Sequence, residues 1–376
     1  MLRYKFSDIA VNITDKRMPL PEDKELYIAP NNLDTDTLSV PDFGYKVDLN
    51  GTKLIMHKGD MLFGRREPQL KKAAIAPHDG LFSAHGMIFH PKEDVITKDF
   101  FPFFISSDYF FDAAIRISVG SLSPTVNWKD LKDLEFEIPD IPAQKEYAKV
   151  LWAMIRAKRA YKTLIKKTEE LVKSQFIEMF GDPGDNPKRY GVYPLAKLGE
   201  LARGVSKARP RNKPELLGGP YPLIQTGEVT AAELYINNYD NTYSEAGLAQ
   251  SKMWPKGTLC ITIAANIAQT AILGIDACFP DSVVGFIPGK RISQIYLHYW
   301  FDFFQKVLES QAPQVAQRNI NLKILSELQV MVPPILKQER FVSFVEQSAK
   351  SKFAAQQTLK ELTVAQKALM KKIFKK

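Results

Sequence analysis

The chain spells one phrase twice. Residues 121–147 read SLSPTVNWKDLKDLEFEIPDIPAQKEY, and residues 315–341 read VAQRNINLKILSELQVMVPPILKQERF. Laying Asn127 on Asn321 aligns the two without a gap. Lys129 then falls on Lys323, Leu131 on Leu325, Leu134 on Leu328, Pro139 on Pro333, Ile141 on Ile335 and Gln144 on Gln338. These are seven identities in eighteen positions at a constant offset of 194. Each copy reads as a short strand, a proline pair and the start of a helix. A repeat of this length decides the architecture, because it makes the chain one unit written twice.

Outward from that phrase the echo continues with gaps. The stretch from Lys58, KGDMLFGRREPQLKKAAIAPHDGLFSAHGMIFHPK, resembles the stretch from Lys256, KGTLCITIAANIAQTAILGIDACFPDSVVGFIPGK, in its order of strand, turn and strand. Each copy then has an aromatic-rich helix candidate, DFFPFFISSDYFFDA and IYLHYWFDFFQKVL, and each opens alike, YKFSDIAVNIT and YPLAKLGELAR. Downstream, a four-three spacing selects Tyr147, Leu151, Met154, Lys158, Tyr161, Ile165, Thr168, Val172, Gln175 and Met179. The same phase selects Phe341, Val345, Ser348, Lys352, Ala355, Leu359, Leu362, Gln366, Leu369 and Ile373. A heptad seam keeps one face on a partner helix, and lysines at matching places in it favour one register. The first helix ends at Gly181 and Pro183, a glycine stop followed by proline. Each seam covers roughly 50 Å at 1.5 Å per residue.

The fold expected is therefore α+β. Two similar mixed α/β units, residues 1–140 and 183–334, are each followed by a long helix, residues 141–182 and 335–376. The two helices pair as an antiparallel coiled coil about a pseudo-two-fold axis.

Composition narrows the class. An apolar content of 45% suits a globular chain with a real core, and Cys260 and Cys278 alone make no disulfide framework, which fits a reducing cytoplasm. Residues 257–275 carry no charge over nineteen positions. Their polar Asn266 and Gln269 and their β-branched residues favour two strands and a turn over a membrane span. The net charge of +9 is uneven: residues 143–180 contribute +5 and residues 337–376 contribute +7, which leaves the rest slightly acidic.

Catalytic signatures are not evident. There is no P-loop and no Gly-rich cofactor loop with a methyltransferase active-site run. His78, His85 and His90 match no standard metal spacing. The grouping PDIPAQKEYAK loosely resembles a nuclease site, but its counterpart PPILKQERF lacks the aspartate. Cys260 inside a strand reads as core. No cofactor is expected.

Binding features are plainer. RGVSKARPRNKP, residues 203–214, carries Arg203, Lys207, Arg209, Arg211 and Lys213 without an acid, as suits phosphate contacts. The first copy places Arg65, Arg66, Lys71 and Lys72 in its hairpin turn, where the second has Asn266 and Gln269. Arginine can fork to guanine, and Asn or Gln to adenine. The helices repeat while the turns differ, which suits one scaffold presenting two reading surfaces.

Over nearly its whole length the chain resembles the specificity subunits of type I restriction–modification systems. The carrying residues are GSLSPTVNWKDLKDLEFEIPDIPAQK, APQVAQRNINLKILSELQVMVPPILKQER, FIEMFGD at the close of the first helix, and ACFPDSVVGFIPG. The resemblance implies a non-catalytic subunit. Each globule would be a target recognition domain reading one half of a bipartite, asymmetric site in double-stranded DNA. The paired helices would be a ruler that docks two DNA adenine methyltransferase subunits, with a motor-nuclease restriction subunit completing the complex. A cytoplasmic location and no membrane partner follow. The family's hairpin turn usually carries small residues, whereas this chain has Arg65 and Arg66. Two other readings are a stand-alone nuclease with an unrecognised site, and a coiled-coil scaffold without a DNA role.

Overall fold

The computed structural model describes residues 1–46, 48–264, 268–304 and 320–374. By contact the chain divides into two compact units, Met1–Ile165 with Phe353–Lys376, and Lys166–Lys352.

In the first unit, strand Leu2–Lys5 pairs antiparallel with Glu135–Ile138, so the entry of the globule lies beside the segment that leads into its helix. A four-stranded antiparallel sheet follows in the order 10–13, 86–91, 61–64, 73–75. Its inner strand Met61–Gly64 is buried at every position, as befits a strand covered on both faces. Over the sheet lie helices Phe101–Ile105 and Asp108–Arg116, which bury Phe101, Phe103, Phe104, Phe110 and Phe111. Phe104 meets Phe136 edge-on at 5.2 Å and Phe110 meets Phe63 edge-on at 5.7 Å, while Phe111 stacks on Phe63 and Phe110 on Phe136. Edge-to-face contact is the arrangement aromatic quadrupoles favour.

The second unit repeats the plan with additions. Val192–Pro194 pairs antiparallel with Gln329–Met331. Its sheet runs 199–203, 283–288, 259–262, 270–273, and then gains a fifth, parallel strand at 235–236. The uncharged stretch at 257–275 thus contributes strands Leu259–Thr262 and Thr270–Leu273, as its composition suggested. Among the described residues no helix is long and apolar enough to cross a membrane.

Two helices dominate the rest, Ile141–Phe180 and Ile335–Ile373. The first ends as its sequence indicates: Gly181 takes a φ of +80° and donates its N–H to the Ile177 carbonyl at 2.7 Å. Within the first unit, Ala148, Leu151 and Ile155 share a core with Ile373 and Phe374, while Lys158 bonds Gln366 at 2.9 Å. Within the second, Phe176 and Phe180 each lie 5.5 Å from Phe341, and Lys352 meets Glu169 at 2.5 Å. In each unit the two helical segments therefore run antiparallel. Tyr147, Leu151, Met154, Tyr161 and Ile165 are buried or half-buried along one helix, and Phe341, Val345, Leu359, Leu362 and Leu369 along the other. Leu164, Leu171, Phe353 and Val364 face outward.

The shared glutamine explains why the repeat is sharpest where each helix begins. Gln144 is fully buried. It accepts from the Thr97 N–H at 2.7 Å and donates to the carbonyls of Val95 at 3.0 Å and Pro139 at 2.9 Å. Gln338 is equally buried and does the same with Ser293 N–H at 2.8 Å, Arg291 at 3.1 Å and Pro333 at 2.8 Å. A side chain with both a donor and an acceptor pins the helix to its globule by satisfying backbone groups that burial would otherwise strand.

Candidate nucleic-acid interface

The positive residues singled out from sequence fall into two loop systems, one per unit. In the first unit the hairpin turn between strands 61–64 and 73–75 carries Arg65, Arg66, Lys71 and Lys72. Arg65 is half-buried and its guanidinium donates to Asn127 Oδ1 at 2.8 Å. Arg66 is exposed. Lys71 turns away to Asp108 and lies 3.9 Å from Asp112, while Lys72 reaches the Leu33 carbonyl at 3.4 Å. The turn is thus split, with Arg65 and Arg66 on one side and two engaged lysines on the other.

The two aligned asparagines have diverged in role. Asn127 serves Arg65, whereas Asn321 caps its helix by accepting from the Ile324 N–H at 3.0 Å. His85 joins the Arg65–Arg66 side. Its pKa is lowered, first by partial burial and then by Arg66, Arg65 and Lys53, which lie close enough to disfavour a further positive charge. His78 instead packs on Phe43, with ring centroids 4.6 Å apart, and His90 lies 3.4 Å from Asp60. The three histidines that cluster in sequence thus meet different neighbours. Among the described residues no three His, Cys, Asp or Glu side chains gather as metal ligands.

In the second unit, Arg203 closes strand Gly199–Arg203, and Lys207, Arg209, Arg211 and Lys213 occupy the loop after it. Three of these cations converge on one residue. Arg209 lies 3.3 Å from the Asp281 carboxylate, Arg211 contacts the same carboxylate, and Arg203 Nε donates to the Asp281 carbonyl at 3.0 Å. Asp281 is seventy residues away in the chain and was not anticipated. Lys207 is exposed and Lys213 half-buried. Gln269 is exposed beside the strand turn, its backbone paired with Thr262; Asn266 lies outside the described residues. Cys260 is fully buried, and burial pushes its thiol pKa far up, which suits a core position.

Two concavities escaped the sequence reading. In the second unit a cleft of about 330 Å³ is lined by Tyr235, Asn237, Asn238 and Tyr239, exposed amide and aromatic groups suited to hydrogen bonding and stacking. In the first, a cleft of about 590 Å³ gathers Lys98, Lys145, Lys149 and Arg156 around Trp152, against Glu93 and Asp99. The helical spacing of 145, 149, 152 and 156 put four of these on one face, which was readable; their opposition to Lys98 was not.

The lysines that interrupt the helix seams are both neutralised. Lys158 is fully buried and bonds the Asp36 carboxylate, the Asp36 carbonyl at 3.0 Å and Gln366 at 2.9 Å; burial nonetheless lowers its pKa. Lys352 meets Glu169 at 2.5 Å and Glu233 at 2.8 Å. Burial opposes its charge, but the hydrogen bonds it donates to the two carboxylates outweigh this and its pKa is raised.

Comparison with known proteins decides the family. The model described as "Type I restriction modification DNA specificity domain" matches residues 31–170 and again 190–363. The chain belongs to that family. The two matched segments agree with the internal repeat. A curated relative, the type I restriction enzyme EcoDI specificity subunit of Escherichia coli, is 26% identical over 146 residues, covering 38% of this chain and 32% of that protein. The chain thus matches about a third of that relative's length. Two solved structures share the fold over almost the full chain. One is the type I restriction–modification S subunit from M. genitalium, with a TM-score of 0.60, 13% identity and coverage of 100% and 96%. The other is a chain from a structure titled as the basis of complex assembly and conformational transition of the type I R-M system, with a TM-score of 0.59, 19% identity and coverage of 99% and 97%.

Proposed function

We propose that this chain is the non-catalytic, sequence-specific DNA-binding subunit of a type I restriction–modification complex. It reads a bipartite, asymmetric target in double-stranded DNA, one half-site per unit. On this reading residues 1–140 and 183–334 are target recognition domains. Residues 141–182 and 335–376 form a coiled-coil ruler that sets the gap between half-sites and docks two adenine methyltransferase subunits, with a motor-nuclease subunit completing the restriction enzyme. The cofactor chemistry belongs to those partners. The single observation that carries the reading is the contrast between framework and loops. The two copies hold their helix starts by the same three-bond glutamine clamp. Their loop cations, Arg65–Arg66 in one and the Asp281-centred arginines in the other, differ in place and setting. Selection changes loops and retains framework when two copies of one scaffold must recognise different things.

Selection from a random duplex pool tests this, using the chain co-purified with its methyltransferase partner. The expected product is two short blocks separated by a fixed unread gap. Exchanging residues 203–214 should alter one block only. A continuous motif, or no motif, refutes the two-headed reader.

A further inference from the structure

Residues 118–125, SVGSLSPT, form a loop of the first unit that carries no charged side chain. Leu122 at its tip is 97% exposed, more than any other large hydrophobic residue among those described, and Val119 is 66% exposed. The loop is pinned at its base. Val119 and Thr125 exchange two backbone hydrogen bonds at 3.0 and 2.9 Å. Glu67 N–H donates to the Pro124 carbonyl at 2.8 Å, and Val126 N–H to the Arg65 carbonyl at 2.9 Å. The Arg65 side chain adds its bond to Asn127. The loop and the arginine turn are therefore one platform. It joins the exposed apolar Leu122 and Val119 to a turn that carries Arg65, Arg66 and the 53%-exposed Leu70, and the Arg66 backbone itself bridges to Thr125. Glu67 is the one carboxylate in the turn.

An apolar tip on a platform that also carries two arginines suits one surface in particular. The faces of stacked bases are apolar, but they are reached only past phosphates that a positive rim can neutralise. Proteins that kink DNA insert Leu, Ile, Phe, Met or Pro in this way, partly unstacking a base step. The small neighbours Gly120, Ser121 and Ser123 leave Leu122 unobstructed. We propose that Leu122 is a wedge that enters between two base pairs of the half-site read by the first unit, with Arg66 on a flanking phosphate. The proposal rests on the DNA-reading function above and adds a mechanism to it: part of the specificity comes from how easily a step unstacks. Pyrimidine–purine steps yield most readily, so the first half-site should contain one beneath the wedge.

The test uses the full chain with its methyltransferase partner and duplexes bearing the selected split sequence. 2-Aminopurine is placed at successive positions of the first half-site. Binding should brighten the probe several-fold at one step, and Leu122→Ala should abolish that signal while weakening binding by on the order of tenfold. Leu122→Met should retain both, and the reading of the other half-site should not change. If no step brightens, or if the brightening persists in Leu122→Ala and so belongs to the methyltransferase, the wedge is refuted while DNA reading stands. Failure of the complex to bind any split duplex overturns both.

Discussion

Replacing Gln144 by leucine tests whether the repeated glutamine clamps each helix to its globule. The substitution keeps the volume and apolar stem but removes three hydrogen bonds, to Thr97 N–H at 2.7 Å and to the carbonyls of Val95 and Pro139 at 3.0 and 2.9 Å. A buried intramolecular hydrogen bond is worth about 1 kcal/mol net, and a buried group left unsatisfied costs ~1–3 kcal/mol. A loss of about 3 kcal/mol from the first unit follows, a large part of the ~5–15 kcal/mol typical of a domain. Gln338→Leu should cost the second unit a similar amount, since its three bonds span 2.8 to 3.1 Å. Urea unfolding resolved by hydrogen exchange separates the two. With a slope of ~2–3 kcal/mol/M, peptides of the affected unit should lose on the order of 1 M in midpoint. The Thr97 amide should lose protection in Gln144→Leu, and the Ser293 amide in Gln338→Leu. Because the two clamps share no partner, the double variant should show the sum of both effects. A shift below roughly 0.5 kcal/mol for either variant, far under the cost of an unsatisfied buried group, would show that the helix seam, not the clamp, secures the helix start.

Three further predictions concern charge. Lys158→Met, which strands the buried Gln366 oxygen and the Asp36 carboxylate, should cost the first unit about 1–3 kcal/mol; Asp36→Ala, which leaves Lys158 buried without its carboxylate, should cost about 3 kcal/mol, and replacing both together should cost less than the sum, all in thermal melts. Acid should loosen the first unit through Asp34. Burial raises its pKa, but hydrogen bonds from Thr37 and Lys162 prevail and hold it below 3.8. Its contribution is therefore complete above pH 3.8 and lost as pH falls through the lowered value. Exchange between pH 5 and pH 2 should show this loss in the native chain and a smaller one in Asp34→Asn. Asp281→Asn should free Arg209 and Arg211, tightening non-specific duplex binding and steepening its salt dependence by about one counterion; an unchanged slope would remove these arginines from the DNA contact.

What could be read from the sequence was whatever repeats with a period. The offset of 194 marks residues that do one job twice, and the clearest of these, Gln144 and Gln338, make matching sets of bonds. The heptad spacing likewise follows from burial along a helix, since Leu151 and Val345 lie inward while Leu164 and Val364 lie outward. Pairs brought together by the tertiary fold left no such trace. Lys158 was legible as a polar interruption of the seam, but its carboxylate is Asp36, 122 residues earlier in a loop. The basic run at 203–214 was legible as charge, yet its electrostatics depend on Asp281, which reaches it only because strands 199–203 and 283–288 pair antiparallel. Identity misled at Asn127 and Asn321, where the same residue at the same offset bonds an arginine in one copy and caps a helix in the other. That divergence has a physical basis. The start of each long helix must bury the same backbone groups in both copies, so its chemistry cannot drift. A loop facing solvent answers only to what it touches, and Asn127 and Asn321 sit where framework gives way to loop.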